Sequence, residues 1–241
     1  MTRLLASLLL LVPGAALAQS VSLDLGAEGA GMTARLVQLT VAIGVLSIAP
    51  SILVMVTAFT RIVIVLSVLR TAIGAQGVPP NPVLIGIALF LTFFVMEPVM
   101  QQAWTDGLLP MSEGRVGEME GLAAAAEPFR RFMAAHARGA DIALFLDLAD
   151  LPAVPDPQAT PWRALVPAFV VGELRRAFEI GFLLYLPFLV IDMVVASVLM
   201  GMGMMMLPPS VVSLPFKLIF FVLVDGWQLA AGSLVQGFGP S

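Results

Sequence analysis

Apolar residues run along this chain in long blocks broken by few charges. Residues 36–60 carry no charge at all. A bilayer core asks for about 20 apolar residues in a helix, so this block is long enough to cross one. Pro50 falls inside it and predicts a kink or a new helix start. Arg61 and Arg70 follow, with no acidic residue near them in sequence. The run Gly74-Ala75-Gln76-Gly77-Val78-Pro79-Pro80-Asn81-Pro82 breaks the helix. An apolar helix resumes over 83–96 and reaches Glu97-Pro98. The next stretch differs in character. Glu113, Glu118, Glu120 and Glu127 precede Phe129-Arg130-Arg131-Phe132-Met133, and Ile142, Phe145, Leu146 and Ala149 recur at helical spacing. Both segments predict short amphipathic helices. Pro152, Pro155, Pro157, Pro161 and Pro167 then predict an irregular linker. Residues 170–182, with Glu173, Arg175, Arg176 and Glu179, read as helix. Residues 181–200 are apolar except for Asp192, with Pro187 as a kink; 201–209 is a Gly/Met/Pro turn; 211–238 is apolar again apart from Lys217 and Asp225.

This pattern predicts an all-α membrane protein: kinked hydrophobic helices in hairpins, with a small helical insertion between them. The divisions fall at 1–18, a signal peptide; 33–104, a first hydrophobic hairpin; 105–168, the insertion; and 169–241, a second hydrophobic hairpin. The signal peptide rests on Arg3, the apolar run 4–12, the breaker Pro13-Gly14 and Ala16-Leu17-Ala18 as a small-x-small cleavage site before Gln19. Two arginines in the loop 61–82 place that loop in the cytoplasm by the positive-inside rule. The insertion and both mature termini then lie on the other side.

Composition sharpens the picture. The chain is 59% hydrophobic and 12% charged, against about 45–50% and about 25% for soluble domains. A net charge of −4 disfavours nucleic acid, whose phosphates need clustered Lys and Arg. Cysteine is absent, which removes disulfides and thiolate metal sites. His136, the one histidine, reads as a solvated residue of the insertion rather than a general base. No phosphate-binding glycine loop is present, so the chain is not read as an enzyme and no cofactor is expected.

Two groups of residues stand out. Asp192, Lys217 and Asp225 each interrupt an apolar block. Insertion costs about 2.5–3.5 kcal/mol for each such charge at the centre of a span, so they are expected as buried polar groups facing protein or water. Lys217 and Asp225 share a face but stand too far apart for direct pairing, so their partners belong to other helices or other chains. Structural pairing and an ion relay both fit. The second group is Met200, Met202, Met204, Met205 and Met206, interleaved with Gly201 and Gly203 and closed by Leu207-Pro208-Pro209. Neighbouring helical residues stand about 100° apart, so three consecutive methionines cannot share one buried helix face. A flexible apolar loop fits better, and thioether side chains deform readily. Ordinary packing, a hydrophobic constriction in a ring, and Cu(I) binding by Met202 and Met204 all remain open.

These residues resemble a known family. The run Thr57-Ala58-Phe59-Thr60-Arg61-Ile62-Val63-Ile64-Val65-Leu66, the stretch Pro79-Pro80-Asn81 leading into Leu89-Phe90-Leu91-Thr92-Phe93-Phe94, and the segment Ala177-Phe178-Glu179-Ile180-Gly181-Phe182 are similar to the FliP/SctR family. So are Pro187-Phe188-Leu189-Val190-Ile191-Asp192, Met202-Gly203-Met204-Met205-Met206-Leu207-Pro208-Pro209, Leu214-Pro215-Phe216-Lys217 and Val224-Asp225-Gly226-Trp227. The likeness covers 33–238 and is loosest in the insertion. It implies a core subunit of the flagellar type III protein-export gate in the bacterial inner membrane. Five copies would form a ring with FliQ-like and FliR-like subunits and pass unfolded export substrates, with the helices raised toward the periplasm and a periplasmic insertion. It implies a pore gasket of Met202, Met204, Met205 and Met206, and pairing between subunits of Glu173 and Lys217. A small-ion or metal transporter, with Asp192, Asp225 and the methionines as its site, is the competing reading.

The charge pattern generates a topology prediction. A reporter fused after Ser241 should behave as periplasmic, and one inserted at 74–81 as cytoplasmic. The reverse pattern of reporter activity would refute this orientation.

Overall fold

The computed structural model describes residues 29–239, apart from Gln76 and Met205. The expected signal peptide at 1–18 and the placement of Met205 lie outside the described residues. The described residues divide into two units between residues 48 and 49. The described part of the first belongs to α1 (Gly29–Met55). Its Thr40 and Ser47 hydroxyls donate to the carbonyls of Leu36 and Ile43, at 2.8 and 2.7 Å. Such back-bonding satisfies hydroxyls in an apolar helix.

Pro50 does not end α1; the helix stops at Met55. Thr57 marks the break, with its hydroxyl donating to the Val54 carbonyl and accepting from the Phe59 N–H. The second unit is then organised around α2 (Phe59–Ile73). Ile62, Val65, Leu66, Leu69, Ala72 and Ile73 are all buried, a helical spacing that makes one continuous core face. Gly74 ends the helix at a φ of 78°, the left-handed conformation that glycine adopts without a Cβ penalty. Helix α3 (Asn81–Ala103) starts from the proline turn, where a missing N–H costs nothing.

Helix α3 does not stop where the first hairpin was expected to end. It widens into a π-turn over Trp104–Leu108 and continues as α4 (Leu109–Ser112). The helical run therefore continues to Ser112, past the expected end of the first hairpin at 104. The reason is a close crossing: a Cβ at Gly107 would stand 2.3 Å from the Ala125 backbone nitrogen, and one at Gly121 would stand 2.6 Å from the Met111 Cβ. Two predicted amphipathic helices follow as α5 (Glu118–His136) and α6 (Gly139–Leu148). On α5, a hydrogen bond from Arg130 holds the Glu127 carboxyl below its ordinary range, with burial opposing. A lowered carboxylate pKa stabilises the fold above the usual glutamate range and loses that contribution as pH falls. Partial exposure of both side chains keeps the term small.

The linker is irregular except for a 3₁₀ turn at Pro157–Ala159. It ends earlier than the prolines predicted. Pro167 lies inside α7 (Trp162–Gly201), so the expected boundary at 168/169 falls within a helix. Ala164, Leu165, Ala168 and Phe169 are fully buried around that proline, and packing offsets its lost hydrogen bond. Pro187 is likewise accommodated, so one helix of 40 residues replaces the two expected segments. At ~1.5 Å per residue such a helix is about 60 Å long, roughly twice a bilayer core. It packs along α2, and at Gly181 a Cβ would meet Val68 at 3.1 Å. Helices α8 (Pro209–Leu223) and α9 (Gly226–Gln236) complete the chain, bent by 61°.

The described residues with assigned regular structure are helical, as the sequence predicted. Asn81–Ser112 and Trp162–Gly201 are long and apolar enough to cross a membrane, and α8 with α9 makes a third if the bent pair is one span.

The crossing at Gly107 is testable. Overpacking typically costs about 1–3 kcal/mol, and a clash with backbone belongs at or above the upper end. Gly107→Val should lower the thermal unfolding midpoint of the detergent-purified protein. Gly139→Val, where a Cβ meets nothing within 4 Å, should leave it nearly unchanged.

Candidate functional site

Among the described residues the most enclosed charges are Arg61, at the start of α2, and Glu173, in α7, with 1% and 0% exposure. Arg61 Nε donates to Glu173 Oε2 at 2.8 Å, and Nη2 donates to the other carboxylate oxygen. This is the bidentate fork that suits arginine to carboxylate. The remaining terminal nitrogen, Nη1, donates to the Gly237 carbonyl at 3.0 Å. The guanidinium carbon lies 3.6 Å from the ring centre of Phe238, a cation–π contact. Phe238 in turn stacks on Phe132 at 5.9 Å and meets His136 at 5.4 Å. Four segments far apart in sequence thus meet at one ion pair.

His136 differs from the solvated residue expected. Its ring is partly buried against Phe132 and Phe238. Its Nδ1 donates to the Phe132 carbonyl at 2.8 Å, because a carbonyl can only accept.

Lys217 heads a second network. It is 5% exposed on α8. Its Nζ donates to Asp192 Oδ2 at 2.6 Å and to the Ala72 carbonyl at 3.1 Å. Ser213 donates to the other Asp192 oxygen at 2.5 Å. Ala72 lies in the last turn of α2, where carbonyls lack helical partners and the helix dipole favours a cation. The network therefore ties α7, α8 and the end of α2 together.

Glu173 and Lys217 were expected to pair between subunits. The structure gives each a partner inside its own chain, Arg61 and Asp192 respectively, so an exchange between subunits would have to displace both bonds. Arg61 stands 112 positions from Glu173, which hid the pair from local reading. Asp192 is partly buried. Asp225 is exposed on the single chain, in a left-handed conformation at the break between α8 and α9.

The methionine segment is a loop at the tip of the α7–α8 hairpin. Gly203, at a φ of 75°, closes α7, with its N–H on the Met200 carbonyl and the Met204 N–H on the Leu199 carbonyl. This pair of bonds is a Schellman end, which satisfies the last carbonyls. Pro208 and Pro209 open α8 on the far side. Met206 is 98% exposed and Met202 67%. Met204 turns back to line an apolar groove of ≈ 550 Å³ with Val194, Val198, Met202 and Phe216.

Among the described residues, a helical fold with paired interior charges and apolar helices of membrane-crossing length defines the class: a helical protein with two to three helices that could span a membrane. The FliP family profile matches residues 42–234, and the chain belongs to the FliP family. It is 56% identical to the flagellar biosynthetic protein FliP of Caulobacter vibrioides, over 95% of this chain and 86% of that protein. The Pectobacterium carotovorum protein of that name is 53% identical over 84% of this chain and 78% of its own length. The Bacillus subtilis protein is 50% identical over 84% and 91%. Nothing in the family or in these names supports the transporter reading.

Breaking one partner of a buried pair typically costs about 3–5 kcal/mol. Asp192 is 29% exposed, and water access reduces the expected loss for Asp192→Ala to about 2–3 kcal/mol. Asp192→Asn keeps one oxygen, which can still accept from Lys217 while its NH2 faces the Ser213 hydroxyl, and should lose less. Unfolding in detergent measures both; equal losses would show that the negative charge itself dominates.

Proposed function

We propose that the chain is a core subunit of the flagellar type III protein-export gate, seated in the bacterial inner membrane, and that its methionine loop seals the pore. The observation that carries this reading is Met206, almost fully exposed at the tip of a hairpin whose two arms are pinned by Lys217 and Asp192. Burying a methionine is worth about 1.5–3 kcal/mol. A free end that forgoes this gain beside a rigid anchor fits a loop that finds its apolar partners only in an assembly. Five copies around an axis, with FliQ-like and FliR-like subunits, would bring five such loops together.

The apolar surface supports the same reading. Phe90, Phe93, Phe94, Phe178 and Phe182 are each about 60–70% exposed on the single chain; patches of that kind mark contact with lipid or other subunits. Within such a ring the insertion lies on the periplasmic side, and the helices are raised toward it. The chain acts here as a structural conduit rather than an enzyme, and the reading calls on no cofactor.

A constriction lined by Met202, Met204, Met205 and Met206 offers water no hydrogen bonds, so it dewets and blocks ions. An unfolded polypeptide pushes the flexible thioethers aside. Replacing Met204, Met205 and Met206 by glycine should leave assembly intact, raise ion leakage and slow growth in cells that carry the partner subunits. Replacing them by leucine should keep the seal and slow export, because leucine is branched and stiffer. A fully assembled glycine variant that leaks no more than wild type would return the loop to ordinary packing.

A further inference from the structure

Helix α9 carries a polar stripe that the gasket reading leaves unused. Asp225, Gln228, Gly232 and Gln236 recur at intervals of three to four and share one face. With Ser233 they line an open groove of ≈ 520 Å³. The other side of α9, Gly226, Ala230 and Leu234, is buried within the chain. Asp225, Gln228 and Gln236 are exposed. A Cβ built at Gly232 meets nothing within 4 Å, so the groove is open at that point. Asp225 holds φ 50° and ψ 49° at the bend, and its side chain does not cap the helix that follows.

This face is unsuited to lipid. An aspartate at a span's centre costs about 2.5–3.5 kcal/mol, and unpartnered amides in hydrocarbon add to that. Nor does it resemble the core of a subunit contact, which is built on buried aromatic and apolar anchors. Its lining is mostly polar and offers only Val224 and Leu229 as apolar groups.

We propose that this face of α9 lines the water-filled conduit and touches the backbone of the unfolded chain in transit. The inference rests on the export-gate reading above and names its contact surface. Glutamine amides both donate and accept hydrogen bonds. Gln228 and Gln236 therefore match a peptide backbone whatever its side chains are. Gly232 leaves width for bulky residues to pass, and the stripe has no deep apolar pocket to trap them.

The chain contains no cysteine, so single cysteines report position without background. Gln228→Cys, Gly232→Cys and Gln236→Cys are each assembled with the partner subunits in cells. A bismaleimide then probes cross-linking to an unfolded flagellar segment held in the gate by a fused folded domain. Met204→Cys serves as the gate reference, and Leu223→Cys, 77% exposed on α8, as the apolar control. Substrate adducts from the stripe and from Met204→Cys, with none from Leu223→Cys, are the expected result. Stripe adducts to a second copy of this chain or to a partner subunit, in place of substrate, would overturn the inference and make the stripe an interface. Substrate adducts from Met204→Cys alone would overturn it while leaving the gate standing; none from either position would overturn both. Gly232→Phe should fill the groove without strain and lose export from a complex that still assembles. Wild-type export by that assembled complex would contradict the conduit role.

Discussion

The arrangement of the second unit depends on one buried charge, the Arg61 guanidinium. Burying an isolated ion costs several kcal/mol even after relaxation, so Arg61 is tolerated only where its donors are met. Glu173 neutralises it, the Gly237 carbonyl takes a further donor, and the Phe238 ring covers it. Meeting those demands brings the start of α2, the first third of α7 and the segment just after α9 to one point. The pair adds little net stability over apolar packing of the same volume. What it supplies is register: sliding α2 along α7 would pull the two charges apart.

The Lys217 network repeats this logic at the opposite end of α2. It takes a carbonyl from the last turn of α2 and a carboxylate from α7. The two ion pairs bracket the contact between α2 and α7, and the apolar side chains of Ile62, Val65, Leu66 and Leu69 fill the space between. The methionine hairpin projects beyond the second pair. A charge-paired base and a glycine-ended tip therefore follow from the same helices.

The helical class, the two short amphipathic helices and the hairpin turn were legible because hydrophobic periodicity and glycine–proline breakers are local signals. Pro167 misled because a proline marks a helix end only when no neighbouring packing offsets its missing bond, and Ala164, Leu165 and Phe169 supply that packing. The continuation of α3 through the π-turn was hidden because it depends on Gly107 meeting Ala125 on another helix. Asp192, Lys217 and Asp225 announced themselves as charges out of place, yet their roles differ by environment: the first two pair, and Asp225 stands exposed at a bend. An arginine within an apolar run with no acidic neighbour demands a distant partner, but Glu118, Glu120 and Glu127 on α5 intervene as rival carboxylates, so Glu173 did not stand out. His136 gave no such hint, because its packing partner Phe238 lies near the other end of the sequence.

The claim that the Arg61–Glu173 pair sets this arrangement is tested most directly by a double-mutant cycle on unfolding in detergent, with Arg61→Met, Glu173→Leu and the two combined. Each single change strands a buried charge and should cost about 3–5 kcal/mol, and the combined change should recover most of that loss apart from the bond to Gly237. A combined variant whose loss equals the sum of the two single losses would contradict the account, because the two residues would then be acting independently.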